Sequence, residues 1–303
     1  MSFAKGTLRA AVRRRVQSGG GRARGEPRPR RLRVAVLTSH RTPGLGDLLR
    51  ASMEPDTGFE VVTVVASHRG CRGLETAVGA GVPVSVHDVA EFCAGRGTSV
   101  GDRSARPAYD RATLAILEPF RPDLVLLCGY LLVASPVLLE AFAGRILNVH
   151  DADLRLRDAA GRPRYHGLHA TRDAILAGEP ETRTTLHLAT EELDAGPPLL
   201  VSGPYPVHSM VAEVAHRGAA DVVRAYAYAH RGWMMETAWG PVMVRAAELF
   251  ARGAVELADG GFVVDGRPGP ASLADTDAAA LAPVVTEEWI ASILGSGTGV
   301  AVR

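Results

Sequence analysis

Short apolar runs separated by polar, glycine-rich stretches set the rhythm of the first half of the chain. Residues 33–38 (Arg-Val-Ala-Val-Leu-Thr) read as a buried parallel strand, because both faces are apolar. A loop with Pro43, Gly44 and Gly46 follows, then a short helix through Leu48 and Leu49. Further strands are predicted at 59–66, 83–87, 123–128 and 145–149, with a helix near 73–78 and a loop over 94–106. Pro107 suits the first turn of a helix whose apolar face would be Tyr109, Ala112, Ile116 and Leu117. Ser135-Pro136 opens another, with Ser135 as its N-cap. Strand and helix alternate through short connections, which predicts an α/β domain with a doubly wound, mostly parallel sheet. In such sheets ligands sit beyond the carboxyl ends of the strands.

The second half is less regular. Residues 151–166 form a polar, charged loop, and 168–177 look helical. Strands are expected at 184–189 and 198–202, helices over 210–252, and a hairpin from 255–257 and 261–264 around Asp259-Gly260. Residues 269–303 read as a tail with a short helix around 287–294.

Across 303 residues, 47% are hydrophobic and 22% charged, a globular composition. The longest apolar runs fall short of a bilayer span and there is no signal-type apolar core, so a cytoplasmic protein without membrane contact is expected. The net charge of +1 hides an asymmetry: residues 1–33 hold eleven Lys/Arg against the single acid Glu26. Residues 1–32 are therefore expected to be a disordered Arg-rich tail ahead of a catalytic domain spanning 33–268. The remainder carries 23 basic and 32 acidic residues, which argues against nucleic acid as a partner. Three cysteines (Cys71, Cys93, Cys128) make no CxxC pair, so neither a disulfide framework nor a metal site is expected, and Cys128 reads as a buried, inert thiol.

Asn148 is the only asparagine in the chain, at the end of the fifth predicted strand, and His150 lies two residues on. Residues i and i+2 of a strand face the same side. An amide that can donate to a developing oxyanion would thus share a pocket with an imidazole that can move a proton. On its own the asparagine also suits a turn or a cap. Asp194 sits in Leu193-Asp194-Ala195-Gly196-Pro197, whose small residues form a tight turn able to project a carboxylate.

Ile146-Leu147-Asn148-Val149-His150 together with Leu193-Asp194-Ala195-Gly196-Pro197 closely resembles the two active-site segments of the phosphoribosylglycinamide formyltransferase family. Ser67-His68-Arg69, Gly73-Leu74-Glu75-Thr76-Ala77, Cys128-Gly129-Tyr130, Tyr165, Gly167-Leu168-His169 and Arg172 resemble further family segments in the same order. The resemblance implies a formyltransferase-like Rossmann-type fold and transfer of a formyl group from 10-formyltetrahydrofolate to a small-molecule amine. It implies that Asn148 stabilises the tetrahedral oxyanion, that His150 assists in a charged or proton-donating state, and that Asp194 orients His150 and helps shuttle the proton. A nearby carboxylate is expected to raise the imidazole pKa. By the same resemblance His187 and His169 support the catalytic residues. Leu131, Leu132, Val133, Glu192 and Leu193 hold the folate, and His40, Arg41, Gly44 and Glu236 face the acceptor.

The chain also departs from the family. Ser39-His40-Arg41-Thr42-Pro43-Gly44-Leu45-Gly46-Asp47 lacks the Gly-Ser-Asn stretch that grips the substrate phosphate, and Asp47 would repel one. Near Glu236, Trp233 stands where the family is often polar or basic. After His150 the family's His-Pro-Ser-Leu-Leu-Pro becomes Asp151-Ala152-Asp153-Leu154, followed by an insertion carrying Arg155, Arg157, Arg162 and Arg164. That loop is expected to border the acceptor site, so an acceptor other than glycinamide ribonucleotide is expected. The alternatives are a formyltetrahydrofolate hydrolase and a folate-binding protein without transferase activity. Oligomeric state is left open, with a homodimer among the expectations.

Overall fold

A computed structural model describes residues 30–216, 218–259 and 261–273. The Arg-rich stretch before residue 30 and the helix expected at 287–294 lie outside the described residues. Thirteen described strands occur in chain order: β1 Leu32–Thr38, β2 Phe59–Ala66, β3 Val84–Val86, β4 Leu124–Leu127, β5 Ile146–His150, β6 Glu181–Thr182, β7 Thr185–Leu188, β8 Pro198–Ser202, β9 Tyr205–Pro206, β10 Val255–Ala258, β11 Gly261–Val264, β12 Arg267–Pro268 and β13 Ala271–Leu273. The α-helices are α1 Leu45–Met53, α2 Gly73–Gly79, α3 Val89–Ala94, α4 Arg106–Leu117, α5 Pro136–Ala141, α6 Ala170–Leu176, α7 Met210–His216 and α8 Ala220–Ala251.

Eight strands form one sheet in the order β13-β8-β7-β5-β4-β1-β2-β3. From β3 to β5 the pairs are parallel; β5–β7 and β7–β8 are antiparallel, and β13 joins β8 in parallel. Period two along β1 divides the core: Val34 and Val36 pack on α1 and α8, whereas Ala35 and Leu37 face α4 and α5. This buried both-sided packing is why β1, β2 and β4 are dominated by apolar residues on both faces. The chain order reverses between β1 and β4, so the crevice at their carboxyl ends, next to β5, is where a ligand fits.

Three local expectations differ. Ser135 occupies the N-cap position of α5, but its hydroxyl makes no cap; it donates to Asp110 Oδ2 at 2.7 Å, as does its own N–H. For the same reason the buried face of α4 is Tyr109, Asp110, Thr113 and Leu117, with Ala112 and Ile116 only half-buried. The stretch read as a C-terminal tail begins with β13, an edge strand of the main sheet. Cys128 is buried, donates its thiol hydrogen to the Pro43 carbonyl, and burial pushes its pKa up, as an inert thiol requires.

Helix α8 lies across α1 at a point where neither backbone carries a side chain. Gly44, at φ 74°, caps α1, and a Cβ there would come within 2.6 Å of Gly240 Cα and 2.7 Å of the Trp239 carbonyl carbon. Gly44→Ala combines left-handed strain with backbone overlap and is expected to cost about 2–4 kcal/mol in urea unfolding. A loss under about 0.5 kcal/mol, the range of an ordinary surface change, would show that the two helices are not fixed there.

Candidate active site

Antiparallel pairing of β5 with β7 sets Asn148 opposite His187 and His150 opposite Thr185. Cross-strand partners are in side-chain contact, and here the Asn148 amide N–H donates to His187 Nε2 at 3.1 Å. His187 Nδ1 faces the Leu188 carbonyl at 2.9 Å, an acceptor only, so Nδ1 carries the hydrogen and Nε2 offers its lone pair to the amide. Asn148 keeps a second amide hydrogen for the cleft.

Asp194 reaches both rings: Oδ2 lies 3.4 Å from His150 Nδ1, and Oδ1 lies 3.6 Å from His187 Nε2. Its backbone is left-handed, φ 55°, which L-residues adopt only under surrounding constraint. Two glycines supply that constraint. Gly196 passes so close to the Leu188 carbonyl that no Cβ fits, and the Gly167 N–H donates to Asp194 Oδ2 at 2.8 Å. Asp194 is 5% exposed and His150 9%.

Burial alone would raise the Asp194 pKa; the contact with His187, the His150 charge and the Gly167 N–H outweigh it and hold the carboxyl at about 2. For His150 the balance falls the other way. Burial pulls its pKa down to about 4, with His187 and Arg231 adding to the effect, and the Asp194 carboxylate offsets only part of it. The expectation of a raised imidazole pKa and a charged His150 is therefore corrected: at neutral pH the ring is uncharged. With an ionised acceptor at Nδ1, the hydrogen sits there, and Nε2 is a lone pair without a partner among the described residues.

These groups line a cleft of about 310 Å³ whose opposite wall is the loop containing Leu131, Leu132 and Val133. Ser39 Oγ holds that loop by accepting the Leu131 N–H at 3.0 Å. Leu193 also lines the cleft, half-exposed, whereas Glu192 is exposed and does not line it. A second, larger cavity of about 820 Å³ shares Gly129, Leu131, Leu168, Thr171, Arg231 and Trp239 with the first. His40 and Arg41 line it, as does His169, which is exposed and does not touch the catalytic groups. Gly44 has a packing role against α8, and Asp47 is turned onto Gly240 and Arg50; neither lines a cavity. Glu236 is exposed on α8 and lines neither cavity. Trp233 is buried against Tyr205, with ring centroids 4.7 Å apart.

The Arg-rich insertion, expected to border the acceptor site, lines neither cavity. Arg155 is paired with Asp153, Arg162 with Asp158 and Arg164 with Glu179, while Arg157 donates to Gly161 O; none lines either cavity. Sequence reasoning missed the residues that do. Asp151, buried directly after His150, accepts from Arg231 Nε at 2.9 Å and from Trp239 Nε1 at 2.5 Å. Arg224, Tyr228, Arg231, Met235 and Trp239 form one face of α8 along the second cavity. That spacing was the signal that could have found them.

Residues 32–218 match the formyl transferase family. Phosphoribosylglycinamide formyltransferase of Mycobacterium tuberculosis is 34% identical over 177 residues, 58% of this chain and 71% of that protein. The structure of glycinamide ribonucleotide transformylase 1 from Symbiobacterium toebii superposes with a TM-score of 0.57 at 26% identity, covering 77% of this chain and 94% of that one. A formyltetrahydrofolate deformylase from Pseudomonas syringae pv. tomato shares the fold at a TM-score of 0.59 and 20% identity, over 78% and 66% of the two chains.

The low folded-state pKa of His150 makes the site acid-sensitive. An unfolded histidine binds its proton near pH 6.5, so this group's contribution is fully present above that pH and is lost as pH falls towards about 4. His230, buried beside Thr182, is lowered to about 4 by desolvation and acts with the same sign. Asp194 stays ionised throughout that window; its own contribution disappears only as pH falls from about 3.8 towards 2. Urea unfolding between pH 7 and 4 should show stability falling with acid, and His150→Gln should reduce the proton dependence by about one proton. An unchanged slope would mean His150 titrates normally in the folded chain.

Proposed function

The chain belongs to the formyl transferase family, an enzyme family that moves one-carbon groups with 10-formyltetrahydrofolate as formyl donor, and on that premise we propose that Asn148, His150 and Asp194 carry out formyl transfer to an amine. The observation that carries this reading is a buried imidazole with an unpartnered Nε2, backed by an ionised Asp194 and flanked by a free amide N–H of Asn148. The folate fits the apolar cleft: Leu131, Leu132, Val133 and Leu193 offer a wall for a flat heterocycle, and the backbone of 129–134 offers polar edges. Bound there, the donor supplies the formyl carbon.

Asn148 then directs its second N–H at the formyl oxygen, where negative charge grows as the amine attacks. Its geometry is fixed beforehand by His187, whose own ring is fixed by the Leu188 carbonyl. His150, neutral at rest, takes up a proton at Nε2 as that charge develops beside it. Asp194 stays anionic and stabilises the imidazolium from the Nδ1 side, so the proton released by the amine is held within the site until the leaving nitrogen needs it. Release of formate to water is the competing use of the same residues. The adjoining cavity of about 820 Å³ favours an acceptor over water, since hydrolysis needs no such space.

The acceptor reading is that of an amine other than glycinamide ribonucleotide. Its support is a first loop in which His40 and Arg41 line the cavity while the position of Asp47 is occupied in packing on α8. Asn148→Ala should cut turnover about 10²–10³-fold with folding intact; an unchanged rate rules out its oxyanion role. Glycinamide ribonucleotide should be a poor acceptor, and turnover at housekeeping rates would overturn this part of the reading.

A further inference from the structure

Arg231 stands at the seam of the two cavities and is held there by buried chemistry. Its Nε donates to Asp151 Oδ2, and the other oxygen of that carboxylate receives the indole N–H of buried Trp239. The terminal nitrogens Nη1 and Nη2 make no hydrogen bond among the described residues, and the side chain is 35% exposed. An arginine fixed through Nε presents a preorganised fork that matches an oxyanion. The other guanidinium groups along the second cavity have protein partners: Arg172 with Asp173, Arg224 with Asp221, and Arg41 with the Tyr228 hydroxyl. Arg231 also acts electrostatically on His150, which places its charge beside the reacting centre.

Apolar surface gathers around this cation. Leu131, Leu168 and Tyr228 are 53%, 64% and 65% exposed at the rims of the cavities, and Met235 and Trp239 continue the face inward. Large side chains left open around a concave surface mark where an apolar ligand group lies.

Resting on the formyl-transfer reading, we infer that the acceptor is an amine with an oxyanion close to its nitrogen and an apolar body, the oxyanion on Arg231 and the body along the Tyr228–Met235–Trp239 face of α8. In the transfer, the acceptor nitrogen bonds the formyl carbon, the bond from that carbon to the donor nitrogen breaks, and one proton passes from the first nitrogen to the second. Arg231 contributes twice. Its charge disfavours the ammonium form, so the amine is presented with its lone pair. Its pairing with the oxyanion neutralises the Arg231 field, which is the smaller part of what lowers the His150 pKa, burial being the larger.

The test compares matched amines with purified full-length protein and 10-formyltetrahydrofolate: phenylalanine against phenethylamine for a carboxylate, phosphoethanolamine against ethanolamine for a phosphate, and glycinamide ribonucleotide for a remote phosphate. The expected result is a kcat/KM about 10–100-fold higher for an oxyanion-bearing member than for its bare partner, the worth of a charge-assisted hydrogen bond. Which pair shows it identifies the oxyanion. In Arg231→Gln that ratio should fall towards one, and Arg231→Lys, which keeps the charge and loses the fork, should fall between. If Arg231→Gln fails to fold because Asp151 is left alone, the double variant Asp151→Asn/Arg231→Gln replaces it, with circular dichroism as the check. Equal rates within each pair, or a ratio that survives the loss of Arg231, overturns the inference. Donor binding, followed by thermal shift with 10-formyltetrahydrofolate alone, separates the two levels. A donor that binds without any oxyanion preference sinks only this inference, whereas a donor that does not bind sinks the formyl-transfer reading as well.

Discussion

An ionised carboxylate kept out of water is the constraint from which the site follows. Such a charge is costly unless donors or cations answer it. Asp194 is answered on Oδ2 by the Gly167 N–H and His150 Nδ1, and its left-handed backbone is tolerated because Gly196 lets the chain pass against Leu188. The sheet serves that arrangement. Only the observed antiparallel register sets His187 across from Asn148, and a slip of one residue would turn every side chain of β7 to the opposite face.

Much of this was legible in the sequence, for identifiable reasons. Strands β1, β2 and β4 are buried on both faces, so their apolar runs stand out, and the alternation of elements led directly to a mostly parallel sheet. Asn148 and His150 could be paired because period two is a local rule. Asp194 and His187 are distant in sequence and needed the family resemblance to be drawn in. The protonation state of His150 was misread for a physical reason: the sequence reveals a neighbouring acid but not the depth of burial, and here burial is the larger influence.

The surroundings of the second cavity were legible in fragments. His40 and Arg41 line the second cavity, but Gly44 and Glu236 do not, and the arginines after His150 are paired within two to fifteen residues of themselves. Acids at short spacing from those arginines were visible in the chain and already argued for local pairing. Arg231 and Asp151 are 80 residues apart, and only the docking of α8 on the end of β5 brings them together. Nothing in either local segment announces that contact, although one helical face repeating Arg, Tyr, Arg, Met and Trp does not look like an ordinary core stripe.

The bond from the Gly167 N–H to Asp194 has an effect beyond electrostatics. Gly167 leads straight into Leu168, His169 and α6, all of which border the larger cavity. The acid proposed to serve the proton transfer is therefore also the peg that fixes the near wall of the neighbouring chamber. Damage at position 194 would blur recognition and chemistry together, and a defect in acceptor affinity measured there would report a displaced wall as much as a missing charge.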